Sequence, residues 1–244
     1  MWYILEADEG AGIYLGFNKD VTEDEVFEAI NKNSLTGLMN FFEVKAGDCY
    51  FIPSGTIHAI GTGCLIYEIQ QNSNLTYRVY DYGRRDKDGN TRELHIEKAL
   101  RVLNFEKYTP SSPEGELLGI SKYFTARRLS LANGEVSFGK DEKSFRCVTI
   151  TSGDGFINGI SVSQGDSYFI PATEEGFTLS GNMTAILAEL RRYGYNTTKT
   201  ADGYTAELYD DLGRNICAFI AEDEKSAIDG LFRKMNITDN DITL

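Results

Sequence analysis

The sequence predicts a mostly β protein built from two related jelly-roll units, with a few short helices and a small ββα extension at its C-terminal end. Three observations carry that prediction. Short runs of aromatic and β-branched residues recur along the first 190 residues, a composition that suits a pleated, half-buried surface. The chain has 24 Gly beside only 4 Pro, which fits many tight turns because Gly enters positive φ at little cost. One ten-residue pattern also occurs twice. Val44-Lys45-Ala46-Gly47-Asp48-Cys49-Tyr50-Phe51-Ile52-Pro53 and Val162-Ser163-Gln164-Gly165-Asp166-Ser167-Tyr168-Phe169-Ile170-Pro171 share Val, Gly-Asp and Tyr-Phe-Ile-Pro in register. Such a match implies one strand–turn–strand unit used in each half, and closure into barrels removes edges that invite aggregation.

From the start, Trp2–Leu5 and Ile13–Phe17 read as short strands around an acidic turn ending in Gly10-Ala11-Gly12. The period then changes. Thr22 followed by Glu25 forms a capping box, and Val26, Phe27 and Ile30 share one face, so a helix is expected over Glu23–Asn31 and a second at Ser34–Met39. Phe41–Val44, Cys49–Ile52, Thr56–Ile60, Cys64–Gln70 and Leu75–Tyr80 read as strands, the charged Gly83–Thr91 as an exposed loop, and Leu94–Leu103 as a helix. After a linker with two prolines, Tyr108–Gly115, strands are expected at Tyr123–Leu131, Glu135–Phe138, Phe145–Ser152, Gly155–Ile157, Ser167–Ile170, Gly176–Ser180 and Met183–Leu190. Beyond Arg191, Tyr204–Leu208, Ile216–Ile220 and a helix at Lys225–Met235 give the ββα signal. The expected domains are therefore 1–107, 116–190 and 191–244.

Composition bounds the function. Apolar residues make up 41% and charged residues 25% of the 244, with 14 Tyr and 14 Phe, so the chain should fold. A formal charge of −13 repels polyanions and argues against a nucleic-acid partner, while local Arg residues can still attract a small anion at short range. No apolar run approaches the roughly 20 residues that span a bilayer, and MWYILEADEG is unlike a secretory leader, so no membrane partner and a cytoplasmic location are expected. The four Cys, none in a CxxC pair, read as buried thiols.

Three residues are candidates for chemistry. Alternation puts Thr56, His58 and Ile60 on one strand face, where His58 is either a metal ligand or a structural imidazole. Glu68 and Gln70 share a face of the next strand, and Glu68 can coordinate an ion, orient a hydroxyl, act as a base, or sit as a rim charge. Arg78 offers planar donors for a phosphate or an enediolate, against the alternative of a solvated or salt-bridged side chain. His95 reads as a helix-start or packing residue, and Arg84 and Arg85 as solvated loop charges.

Trp2-Tyr3-Ile4, the block from Gly47 through His58 to Gly61, the block from Tyr67 through Arg78 to Tyr82, and Arg92-Glu93-Leu94-His95-Ile96 together resemble consecutive segments of short bacterial type I mannose-6-phosphate isomerases, members of the cupin superfamily. The resemblance covers about Met1–Leu190 and implies two cupin jelly rolls and interconversion of mannose 6-phosphate and fructose 6-phosphate, with zinc as the cofactor and a hexose phosphate as partner. It makes His58 a metal ligand, Arg78 the catalytic arginine and Glu68 an acidic active-site residue. The family also carries metal ligands in an earlier His-containing block and in a Glu before the Trp-Tyr-Ile strand, whereas this sequence begins Met1-Trp2. The first barrel is accordingly expected to be incomplete, its edges covered by the tail, by a second copy in a homo-oligomer, or by a complementary N-terminal fragment. Two functions compete with an autonomous isomerase: an inactive sugar-phosphate-binding or assembly protein, and one part of a split isomerase.

Overall fold

In the computed structural model, residues 1–70, 76–110, 115–121, 123–141, 144–190, 194–200, 203–209, 215–223 and 226–227 are described. The chain divides into two units, Met1–Ser112 and Pro113–Leu244, and both are mostly β.

In the first unit the aromatic and branched runs form β1 (Trp2–Ala7), β2 (Gly12–Phe17), β3 (Met39–Glu43), β4 (Cys49–Tyr50), β5 (His58–Ile60) and β6 (Cys64–Glu68). They pair as two three-stranded antiparallel sheets, ordered β4-β1-β6 and β3-β2-β5. Trp2 and Ile4 from one sheet, Ile13 and Leu15 from the other, and Val44 make a shared buried cluster. The periodic segment forms α1 (Glu23–Asn31), as expected from its cap: the Glu25 amide donates to Thr22 Oγ1 at 3.2 Å, and the Thr22 amide donates to Glu25 Oε2 at 2.8 Å. Val26, Ala29 and Ile30 turn inward and join Phe17, Leu35 and Ile57 in a second cluster. Full burial of a side chain such as Val26, 0% exposed, stabilises by about 1.5–3 kcal/mol.

In the second unit, β7 (Leu117–Ile120), β8 (Phe124–Gly139), β9 (Arg146–Ile157), β10 (Ile160–Ser163), β11 (Ser167–Ile170) and β12 (Gly176–Leu190) form one antiparallel sheet in the order β10-β9-β12-β8-β7, with β11 also on β9. A separate sheet holds β13 (Gly194–Thr200), β14 (Gly203–Tyr209) and β15 (Asn215–Ala221).

Several expectations shift. The strands foreseen as Tyr123–Leu131 and Glu135–Phe138 fuse into β8, because the Ala132-Asn133-Gly134 step is absorbed as a register shift opposite Gly181-Asn182 instead of ending the pairing. β9 and β12 likewise each merge two foreseen strands. Ser34–Met39 shortens to a 3-10 turn at Leu35–Leu38, and the later helix shortens to α2 (Ile96–Leu100). Thr76–Tyr80 carries a strand-like sequence but is not a strand, since no neighbour pairs with it among the described residues. Gln71–Leu75 and most of the foreseen helix Lys225–Met235 lie outside the described residues. β13 was not foreseen; its run Gly194–Thr200 is polar and lacks the apolar alternation that marks a half-buried strand.

Candidate active site

The repeated motif folds identically in both units. Gly47 and Gly165 adopt φ of 91° and 95°, a region that only Gly enters without strain. The Gly47 amide donates to Ile4 O, the Ile4 amide to Asp48 O and the Lys45 amide to Asp48 Oδ2. In the second unit the Gly165 amide donates to Ile150 O, the Ile150 amide to Asp166 O and the Ser163 amide to Asp166 Oδ2. Ile4 thus corresponds to Ile150, and Trp2 to Val148.

This correspondence locates what differs. Opposite Trp2 stands Glu68, whereas opposite Val148 stands Leu187. Val148 and Leu187 are both 0% exposed, and Phe177, which follows Pro171 at nearly the spacing of His58 from Pro53, is 3% exposed and stacked on Phe138. The second unit fills this place with apolar side chains; the first leaves polar ones there, open to solvent.

His58 and Glu68 reach that place from different sheets. Residues directly opposite across a strand pair project to the same side, so His58, paired with Leu15, and Glu68, paired with Trp2, both point to the side on which Leu15 and Trp2 pack together. Both are nonetheless exposed, as is Ile60 at 48%. β5 and β6 are the edge strands of their sheets, so the space between them opens outward. Trp2 joins the pair: its Nε1–H donates to Glu68 Oε1 at 2.8 Å, and its ring meets the His58 imidazole edge-on with centroids 5.2 Å apart. His58 Nδ1 lies 2.7 Å from Thr56 O. A carbonyl only accepts, so in the neutral imidazole Nδ1 carries the proton and Nε2 keeps its lone pair for a ligand.

Arg78 is placed by its backbone. Its amide donates to His95 Nδ1 at 3.3 Å, and the His95 amide donates back to Arg78 O at 2.7 Å. His95, at the start of α2, therefore has the packing role expected of it. Val79 and Tyr80 pack on the cluster that contains Ile57, Phe17 and Val26, whereas His58 pairs with Leu15 of the cluster between the sheets. Since Ile57 and His58 alternate, the Arg78 segment is anchored on the other face from the His58 ring. No hydrogen bond or ion pair joins the half-buried Arg78 to His58 or Glu68 among the described residues, and its guanidinium has no carboxylate partner among them. Arg84 lies over the Tyr82 ring at 5.0 Å, and Arg85 donates to Gly89 O, both within the loop. Of the described thiols, Cys49 is buried and Cys64 and Cys147 are only half-buried; desolvation still pushes Cys64 and Cys147 above the ordinary range, away from the reactive thiolate.

The residue that sequence reasoning missed is Trp2, read only as a strand former. The signal was available: a lone tryptophan at a strand start, with a carboxylate strand to pair with.

No family model matches the chain. It is 34% identical over 206 residues to a mannose-6-phosphate isomerase of Bacillus subtilis, covering 78% of this chain and 63% of that protein. It is also 34% identical over 197 residues to a mannose-6-phosphate isomerase of Streptococcus mutans, covering 76% and 61%. The crystal structure of the mannose 6-phosphate isomerase from Bacillus subtilis superposes with a TM-score of 0.66 at 33% identity, over 77% of this chain and 63% of that one. The apo enzyme from Salmonella typhimurium shares the fold at a TM-score of 0.56 and 14% identity. The chain thus spans about three fifths of the length of the relatives it matches. No helix among the described residues is long and apolar enough to cross a membrane. Over the matched residues, the chain is a homologue of the bacterial mannose-6-phosphate isomerases.

Proposed function

We propose that the chain carries the reacting part of an aldose–ketose isomerase that interconverts mannose 6-phosphate and fructose 6-phosphate in the cytoplasm. The observation that supports this most is that Glu68 and His58 both contact Trp2 at an exposed place whose counterpart in the second unit is filled by Val148 and Leu187. Glu68 Oε1 is held by the Trp2 indole, which leaves Oε2 to carry a proton between C1 and C2 through a cis-enediol. Arg78 would hold the negative charge that develops on the sugar oxygens. The architecture proposed for this function is two cupin jelly rolls, an incomplete one over 1–107 and a second over 116–190, followed by a ββα extension over 191–244. The twin Gly-Asp turns support the duplication.

Zinc, which the family resemblance implies, does not fit the described residues on their own. His58 Nε2 and one Glu68 oxygen are two donors, no group of three or more His, Cys, Asp or Glu able to hold a metal occurs among the described residues, and catalytic zinc takes three protein ligands. That shortfall favours a second reading, in which this chain binds a hexose phosphate without turnover or supplies one part of an isomerase completed by another polypeptide or another copy.

The deciding experiment assays the purified full chain for sugar-phosphate interconversion and for bound metal. Turnover that falls about 10²–10³-fold in Arg78→Ala, at an unchanged thermal midpoint, supports the isomerase. A folded chain with no turnover refutes autonomous activity and leaves the second reading.

A further inference from the structure

We infer that Trp2 is the positioning residue of this site, a role that rests on the proposed isomerase reading. Three contacts converge on one side chain. The indole N–H fixes Glu68 Oε1 at 2.8 Å, the ring packs edge-on against His58 at 5.2 Å, and the remainder is buried with Ile4, Ile13, Leu15 and Val44. Trp2 is 3% exposed, whereas Glu68 and His58 are both exposed. A carboxylate and an imidazole on exposed edge strands have several rotamers open to them, and solvent alone selects none. The indole selects one of each. With Oε1 occupied by the N–H, Oε2 is the oxygen left to meet substrate. With the imidazole plane set against Trp2 and Nδ1 tied to Thr56 O, Nε2 is the nitrogen left. Trp2 touches no substrate atom itself; it transmits the rigidity of the core to two groups that would otherwise wander.

Packing alone does not account for this side chain. The corresponding Val148 fills its place in the second unit with no polar atom, so the framework does not require an indole there. The N–H matters because its acceptor, Glu68, is the proton carrier of the proposed reaction.

The chain has one tryptophan, so growth on β-(benzothienyl)alanine replaces this residue alone, keeping the bicyclic shape and removing the N–H. Trp2→Phe is the parallel genetic variant. Both are assayed with mannose 6-phosphate on the full chain, in wild-type and Glu68→Ala backgrounds. Misplacement of a reacting group lowers kcat by about 10- to 100-fold; that loss is expected in the wild-type background, with KM changed less than about twofold and the loss vanishing once Glu68 is absent. Glu68→Ala should also shift the emission of Trp2, because its N–H loses its acceptor. Equal losses in both backgrounds, or unchanged kcat in the shape-preserving replacement, overturn the positioning role while leaving the isomerase reading intact. A wild-type chain without turnover overturns the isomerase reading, and the positioning role falls with it. Should Trp2→Phe fail to fold, the benzothienyl replacement decides.

Discussion

Leu15→Ala tests whether the floor beneath the site is as tightly built as it looks. Leu15 is 0% exposed and sits between the two sheets with Trp2, Ile4, Ile13 and Val44, directly opposite His58 in register. Truncation removes three carbons, a transfer loss of about 2.4 kcal/mol at about 0.8 kcal/mol per buried CH₂. A cavity contribution adds to this, and measured Leu→Ala changes in cores span about 2.7–5.0 kcal/mol. Ile4 and Ile13 are held by strand pairing and cannot close the gap, but the space beside His58 is open and can relax, which places the expectation near 3 kcal/mol. The assay is urea unfolding followed by tryptophan emission, which reports on the first unit because Trp2 is the only tryptophan. With m of about 1.5 kcal/mol per M, the midpoint should fall by about 2 M. A loss below about 1 kcal/mol at unchanged m would show that Leu15 does not support the two sheets, and the inward orientation argued for His58 would fall with it.

Thr22→Ala removes the α1 cap acceptor and should cost about 1 kcal/mol, measured as a midpoint shift in the same unfolding curve. Tyr108 gives a pH test. Its hydroxyl donates to Phe51 O at 3.0 Å, and burial pushes the phenol from its ordinary 10.0 up to about 12. The folded state keeps this proton more tightly than the unfolded state, so the stabilisation is full below pH 10 and is lost as pH rises toward 12. The stability difference between wild type and Tyr108→Phe, taken from denaturation curves, should be flat below pH 10 and shrink above it; a difference that grows with pH would contradict the burial argument.

Much of the fold was readable because local chemistry and tertiary context agree. The Thr22–Glu25 box delimits α1 at Glu23–Asn31, and the duplicated Gly-Asp pattern marks two turns whose hydrogen bonds match one for one. Pairing was less readable. Whether Ala132-Asn133-Gly134 ends a strand or is carried through as a bulge depends on β12 supplying Gly181 opposite it, a residue 47 positions from Gly134. The stretch Thr76–Tyr80 has strand composition without a strand beside it, and composition cannot supply a neighbour. At the site, alternation grouped His58 with Ile60, and both fall on β5 and are exposed, while Gln70 lies beyond the end of β6 at Glu68; alternation also says nothing about which sheets face each other. The Trp2–Glu68 bond spans 66 positions and emerges only from register.

The twin turns have an evolutionary consequence. A cavity lined with charge and a core filled with hydrocarbon make opposite demands on one scaffold: vacancy weakens it, and filling silences it. Two copies of the same turn let the chain assign those demands separately, so that one copy with Val148, Phe177 and Leu187 conserves cohesion while the other tolerates an unfilled mouth. Substitutions that improve the apolar copy should therefore be free of the usual conflict between robustness and reactivity, which makes the second unit the natural place to begin stabilising this protein.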